Sequence, residues 1–171
     1  MSKLNDNSIT IYEALQNIEN GRYVMPAFQR QYVWSMEQIE KLWDSILLDY
    51  PIATFLFWHI DDNNISWDTY CCQFMKEITF DSRKQADSVN YELSSVDVSM
   101  TDTAILDGQQ RLTSLYLSLF GNAYVRPKHA RRAINGGTLT KLLIELNKNR
   151  LDADEEEYNS KKYDIKFSGK I

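Results

Sequence analysis

Residues 103–121 read TAILDGQQRLTSLYLSLFG. The opening half, TAILD, is apolar and of strand length. The closing half carries Leu112, Leu115, Tyr116 and Leu119 at helical spacing, and Gly121 stands where a helix would stop. The spacing therefore predicts a strand running straight into a helix, with Asp107 and Gly108 at the join. The join is also chemically dense. An acid, a glycine, two amides and an arginine follow one another where a plain solvent turn needs none of them.

Working outward, the same reading yields alternating helices and strands. TIYEALQNIENG is a first helix: Thr10 and Glu13 have capping-box spacing, Ile11, Leu15 and Ile18 share a face, and Gly21 can end it. RYVMP is a short strand stopped by Pro26. SMEQIEKLWDSILLDYP is the strongest helix. Ser35 and Gln38 form a second capping box, Ile39, Leu42, Trp43, Ile46 and Leu47 recur at helical spacing, and Pro51 closes it. ATFLFWHI, an unbroken apolar run, reads as a central buried strand. Residues 61–101 are polar and read as a variable excursion holding a hairpin, with short strand candidates near 65–70, 76–80 and 89–93. RPKHARRAINGG is a basic loop, KLLIELN and YDIKF are strands, and the acidic LDADEEEYN between them is solvated surface. The expected fold is α/β (α+β): a mixed sheet flanked by helices.

The bulk properties agree with that class. The chain has 171 residues, 43% hydrophobic and 25% charged, with net charge -5. This is one domain, 1–171, with room for a proper core. The absence of a closing helix after IKFSGKI makes it read as a fragment of a longer protein. The negative balance argues against a general basic coat for nucleic acid. No apolar run approaches the ~20 residues of a membrane helix, and no secretory h-region is present. The expectation is a cytoplasmic protein without a membrane partner. Cys71 and Cys72 are adjacent and read as ordinary thiols; His59 and His129 stand alone without metal-ligand spacing.

The join at 107–111 is the first candidate site. First-turn amides of a helix lack intrahelical acceptors and sit at the positive end of its dipole, so an anion is favoured there. Gly108 would admit a phosphate close to the backbone, Arg111 offers a planar fork for its oxygens, and Gln109 and Gln110 add donors. Asp107 could orient Arg111, bind a divalent metal or position a water. The plainer account is a cap, a turn and a surface ion pair. A second stretch, PAFQRQYVWS, shifts the balance towards a site: Gln-Arg recurs at Gln29-Arg30, again before a helix, followed by Tyr32 and Trp34. Two arginines would suit a di- or triphosphate. Tyr32 and Trp34 either stack on a base or pack in the core.

These two blocks carry a resemblance. MPAFQRQYVWSMEQIEKLWDSILLDYPIATFLFW followed by ILDGQQRLTSLYLSL resembles the N-terminal domain family of GmrSD-type restriction endonucleases, over roughly residues 8–150. That family is placed in the ParB/sulfiredoxin-like superfamily, so the resemblance implies that fold. It also implies a component of modification-dependent restriction and phage defence that binds and hydrolyses nucleoside triphosphates, GTP or ATP, with Mg²⁺. Carried over, the DGQQR block implicates Asp107, Gly108, Gln109, Gln110 and Arg111, and the first block Gln29, Arg30, Tyr32 and Trp34. Arg30 and Arg111 would clamp phosphates while Asp107 holds the metal or aims the water.

Full-length relatives usually continue into a helical region and an HNH-type nuclease domain, and this sequence has neither. It also lacks a Walker A motif, so an NTPase here is not a P-loop enzyme. DNA is the expected partner of the full-length protein. In this chain Arg126, Lys128, Arg131 and Arg132, with His129 among them, could touch its phosphates or merely balance the acidic run. Assembly into a homo-oligomer is compatible with the sequence. Two alternatives stay open: a non-catalytic DNA-binding or regulatory module, and a ParB-like nuclease or nickase using Asp107 and a metal.

Overall fold

A computed structural model describes residues 9–28, 31–59, 70–80, 96–97, 100–126, 137–145 and 164–168. Among them the helices are α1 (Ile11–Glu19), α2 (Met36–Leu47) and α3 (Gln109–Leu119). The strands are β1 (Tyr23–Pro26), β2 (Leu56–His59), β3 (Cys71–Cys72), β4 (Glu77–Phe80), β5 (Thr103–Asp107), β6 (Asn122–Val125), β7 (Thr138–Glu145) and β8 (Asp164–Ser168). They form two four-stranded mixed sheets, ordered β2-β5-β1-β3 and β4-β6-β7-β8. The first pairs β5 parallel to β1 and antiparallel to β2; the second pairs β4 parallel to β6 and runs antiparallel through β7 and β8. The mixed α/β expectation holds, with two sheets in place of one.

Both predicted capping boxes form. Thr10 and Ser35 each accept from the backbone of the residue three further on, and Glu13 and Gln38 reach back to the cap amide. Capping satisfies donors that the helix itself cannot. α2 then delivers Met36 and Ile39 to the core, both almost fully buried. Ser35→Ala removes one acceptor, so we expect a loss of about 1 kcal/mol and a fall in Tm of about 3 °C in a thermal melt. No change in Tm would mean that α2 is held by packing alone.

α3 lies between two cores. Leu112, Leu115 and Tyr116 join Leu15, Ile18 and Ile105 in one; Leu117 joins Tyr32, Met36, Ile39, Ile78 and Phe80 in the other. The single apolar face expected for this helix was too narrow. Thr113, Ser114 and Leu117 are buried as well, whereas Leu119 is exposed. A helix enclosed on several sides does not keep an amphipathic stripe.

The expectations for two other segments are corrected. ATFLFWHI is not a central buried strand: only Leu56–His59 pairs, at the end of its sheet among the described residues, with Leu56 and Trp58 exposed. Ala53 adopts φ 66°, which takes the start of the run out of strand geometry. Apolarity alone cannot separate an edge strand from a central one. The helix before it ends at Leu47, ahead of Pro51, because Asp49 turns left-handed at φ 59°. Within residues 61–101, Cys71–Cys72 pairs with β1 and Glu77–Phe80 with β6, so this segment feeds both sheets. The strand candidates near 65–70, apart from Tyr70, and near 89–93 lie outside the described residues, as does the whole acidic run at 151–159.

Candidate functional site

The join between β5 and α3 opens into a cleft of about 300 Å³, lined by Leu106, Asp107, Gly108, Gln109, Gln110 and Arg111 from one block and Trp34 from the other. It lies at the carboxyl end of β5, the side on which open sheets of this kind collect ligands. Gly108 is the N-cap of α3, in the left-handed region at φ 87°, and supplies no side-chain acceptor to the first turn. The positive end of α3 therefore faces the cleft without a capping oxygen.

Packing, more than ligand approach, accounts for the glycine. A Cβ at Gly108 would stand 2.3 Å from Cδ1 of Phe55. The space that the sequence reading reserved for a phosphate on that side is filled by this ring. Phe55 precedes β2, and the register irregularity between Leu56 and Phe57 sets Leu56 opposite Asp107. Residues 52, 54 and 55 lie alongside the first turn of α3.

Arg111 is engaged on the same side. Its Nη1 donates to the carbonyl of Ile52, its Nη2 donates to that of Thr54 at 2.7 Å, and its guanidinium lies 4.6 Å over the Phe55 ring. A looser ion pair at 3.6 Å joins it to Asp107. The side chain is only 16% exposed, against 67% for Asp107. Its fork is thus largely a tether for the segment entering β2. Asp107 projects into solvent at the cleft mouth.

Both glutamine side chains are also engaged with the protein's own backbone. Gln109 is buried and its Nε2 donates to the Ile105 carbonyl at 2.6 Å. Gln110 holds the first block: its Oε1 accepts the Val33 amide at 3.0 Å and its Nε2 donates to the Gln31 carbonyl at 3.1 Å. Tyr32 is core, 4% exposed, and shares a 2.8 Å hydrogen bond with Ser114. Trp34 is half-buried, packs against both cores and also lines the cleft. The two Gln-Arg blocks thus meet through Gln110 and Tyr32. Gln29 and Arg30 themselves lie outside the described residues.

Phe55, Ile52, Thr54 and Ser114 escaped the sequence reading. Ile52 and Thr54 act through backbone carbonyls, which leave no residue-type signal. Among the weaker candidates, Arg126 is half-buried beyond β6, its amide donating to the Phe80 carbonyl at 2.9 Å. Lys128, His129, Arg131 and Arg132 lie outside the described residues. His59 shares a 3.1 Å hydrogen bond with Thr103. Burial pushes both cysteine thiols up, which disfavours the reactive thiolate. Among the described residues no group of three or more His, Cys, Asp or Glu is placed to hold a metal ion. No helix among them is long and apolar enough to cross a membrane.

Comparison with known proteins places residues 11–170 in the family described as GmrSD restriction endonuclease, N-terminal domain. The chain belongs to this family. It is also 26% identical over 118 residues to an uncharacterized protein of Methanocaldococcus jannaschii. That match covers 69% of this chain and 18% of the relative, so the chain spans less than a fifth of that protein's length.

Proposed function

We propose that this member of the GmrSD N-terminal domain family binds nucleoside triphosphates at the β5–α3 cleft and hydrolyses them within a cytoplasmic DNA restriction system of ParB/sulfiredoxin-like architecture. One observation carries the reading: the uncapped positive end of α3 opens into a cleft that also holds a solvent-facing carboxylate and an indole. Phosphate oxygens would meet the first-turn amides of α3, where the helix dipole favours negative charge. Arg111 keeps its tether and lends its charge from the side. Arg30 remains the second cation on sequence grounds alone.

The carboxylate fits Mg²⁺ of one kind. A single Asp cannot cage the ion, but magnesium commonly arrives with its phosphates and takes only one or two protein carboxylates. Bound there, the ion would offset charge developing on the phosphates. Asp107 otherwise accepts a proton from, or orients, the water that attacks the terminal phosphorus. DNA enters as the partner of the longer protein.

Calorimetry with GTP, ATP and CTP in the presence of Mg²⁺ tests binding, and phosphate release tests turnover. Asp107→Ala is expected to abolish turnover while leaving Tm unchanged, because its side chain is two-thirds exposed. Unchanged turnover in that variant would remove the role of Asp107. Absence of nucleotide binding by the wild type, with DNA binding that falls steeply with salt, would replace the proposal with a DNA-binding module. Metal-dependent nicking of plasmid DNA would replace it with a nuclease.

A further inference from the structure

Gln110 is committed at both ends of its side chain. Both ends of its amide are bonded to the backbone of a segment 77 to 79 residues earlier in the chain. The two bonds bracket Tyr32 as a neighbouring strand would, one accepting from Val33 and one donating to Gln31. One turn further along α3, Ser114 holds the Tyr32 hydroxyl. On the far side of Trp34, the Ser35 amide donates to Gln38 at 2.8 Å and fixes the start of α2. Trp34 is therefore gripped on both flanks, by Gln110 through Val33 and by the capping box through Ser35.

A side chain so placed has little freedom to act as a phosphate ligand, although its main chain belongs to the first turn of α3. Its amide is not replaceable by a similar group. Asn is too short to span both partners, and Glu would set a carboxylate against the Gln31 carbonyl.

We propose that Gln110 is a positioning residue: it holds Trp34 at the mouth of the cleft as the platform for the base of a bound nucleotide. This rests on the nucleotide reading of the cleft, and it divides the site. The amides of α3 hold the phosphates and do not need the Gln110 side chain. The base is held by Trp34, which does.

Two probes separate these parts: inorganic triphosphate with Mg²⁺, and GTP or ATP with Mg²⁺, titrated into wild type, Gln110→Ala, Trp34→Ala and the double variant. The expected result is unchanged affinity for inorganic triphosphate in Gln110→Ala. Nucleotide affinity should fall about tenfold, the scale of losing one base stack. The double variant should bind no more weakly than Trp34→Ala, since both changes remove the same contact. Equal losses for triphosphate and nucleotide would overturn the proposal and make the Gln110 amide a phosphate ligand.

Hydrogen exchange supplies a reading that needs no ligand. The Val33 amide should exchange about tenfold faster in Gln110→Ala, with the interior amides of α3 unchanged. Unaltered exchange at Val33 would also overturn the proposal. If the wild type binds neither probe, the nucleotide reading fails, and the base-platform role fails with it. Exchange at Val33 then decides the anchoring alone.

Discussion

Gly108→Ala is expected to cost about 3 kcal/mol of folding stability, which makes it the most damaging single-methyl change in the site. Two effects add. A non-glycine residue at φ 87° carries about 1–2 kcal/mol of backbone strain. The new methyl would also lie 2.3 Å from the Phe55 ring, which has to shift. Phe55 cannot shift without cost, because it packs against the core that holds Ile105 and Leu112 and carries the Arg111 guanidinium on its face. The check is chemical unfolding of Gly108→Ala alone and combined with Phe55→Leu. Measured against Phe55→Leu alone, Gly108→Ala should then cost only about 1–2 kcal/mol, the backbone component that no repacking removes. A loss below about 0.5 kcal/mol for the single change, the range of an ordinary surface substitution, would mean that neither strain nor ring contact constrains the join.

Arg111→Ala should destabilise the fold by about 2–3 kcal/mol, since hydrogen bonds from a charged donor are worth roughly 1.5–3 kcal/mol each and two are lost. The partial exposure of residues 52–54 keeps the loss from reaching the full sum, because water can reach the freed carbonyls. Arg111→Lys should recover under half of it: an ammonium preserves charge but cannot fork to two carbonyls. The consequence for function is direct. Loss of nucleotide binding in Arg111→Ala would not by itself place a phosphate on the guanidinium, because release of the 52–55 segment would reshape the cleft wall. Binding retained in Arg111→Lys with lowered stability would identify the arginine as mainly a tether. Unchanged stability in Arg111→Ala would remove the tether and restore the arginine as a plain phosphate clamp.

Both experiments turn on residues that composition and spacing had already picked out for a different reason. The block 107–111 was legible as a site because no ordinary turn needs that sequence. What each side chain touches was not legible. Gln109, Gln110 and Arg111 were read as donors aimed at a ligand; in the fold their side chains bond to the Ile105, Gln31, Ile52 and Thr54 carbonyls. An amide or guanidinium in a sequence announces hydrogen bonding but not its partner, and a backbone carbonyl satisfies it as well as a phosphate does.

Local chemistry settled much of the rest. Thr10 with Glu13 and Ser35 with Gln38 are capping boxes wherever the chain folds, because both partners lie within one turn. TAILD and the helix after it were fixed by periodicity and by a glycine able to take the left-handed turn between them. Those features depend on neighbours within a few residues. Tertiary structure alone decided that LFWH lies at the end of a sheet among the described residues, that Cys71–Cys72 and Glu77–Phe80 enter different sheets, and that Phe55 fills the space beside Gly108. Each depends on residues tens of positions apart, and a run of apolar side chains does not say what will lie against it. The sequence thus determined where the cleft is, and the packing of two sheets around α3 determined which groups face it.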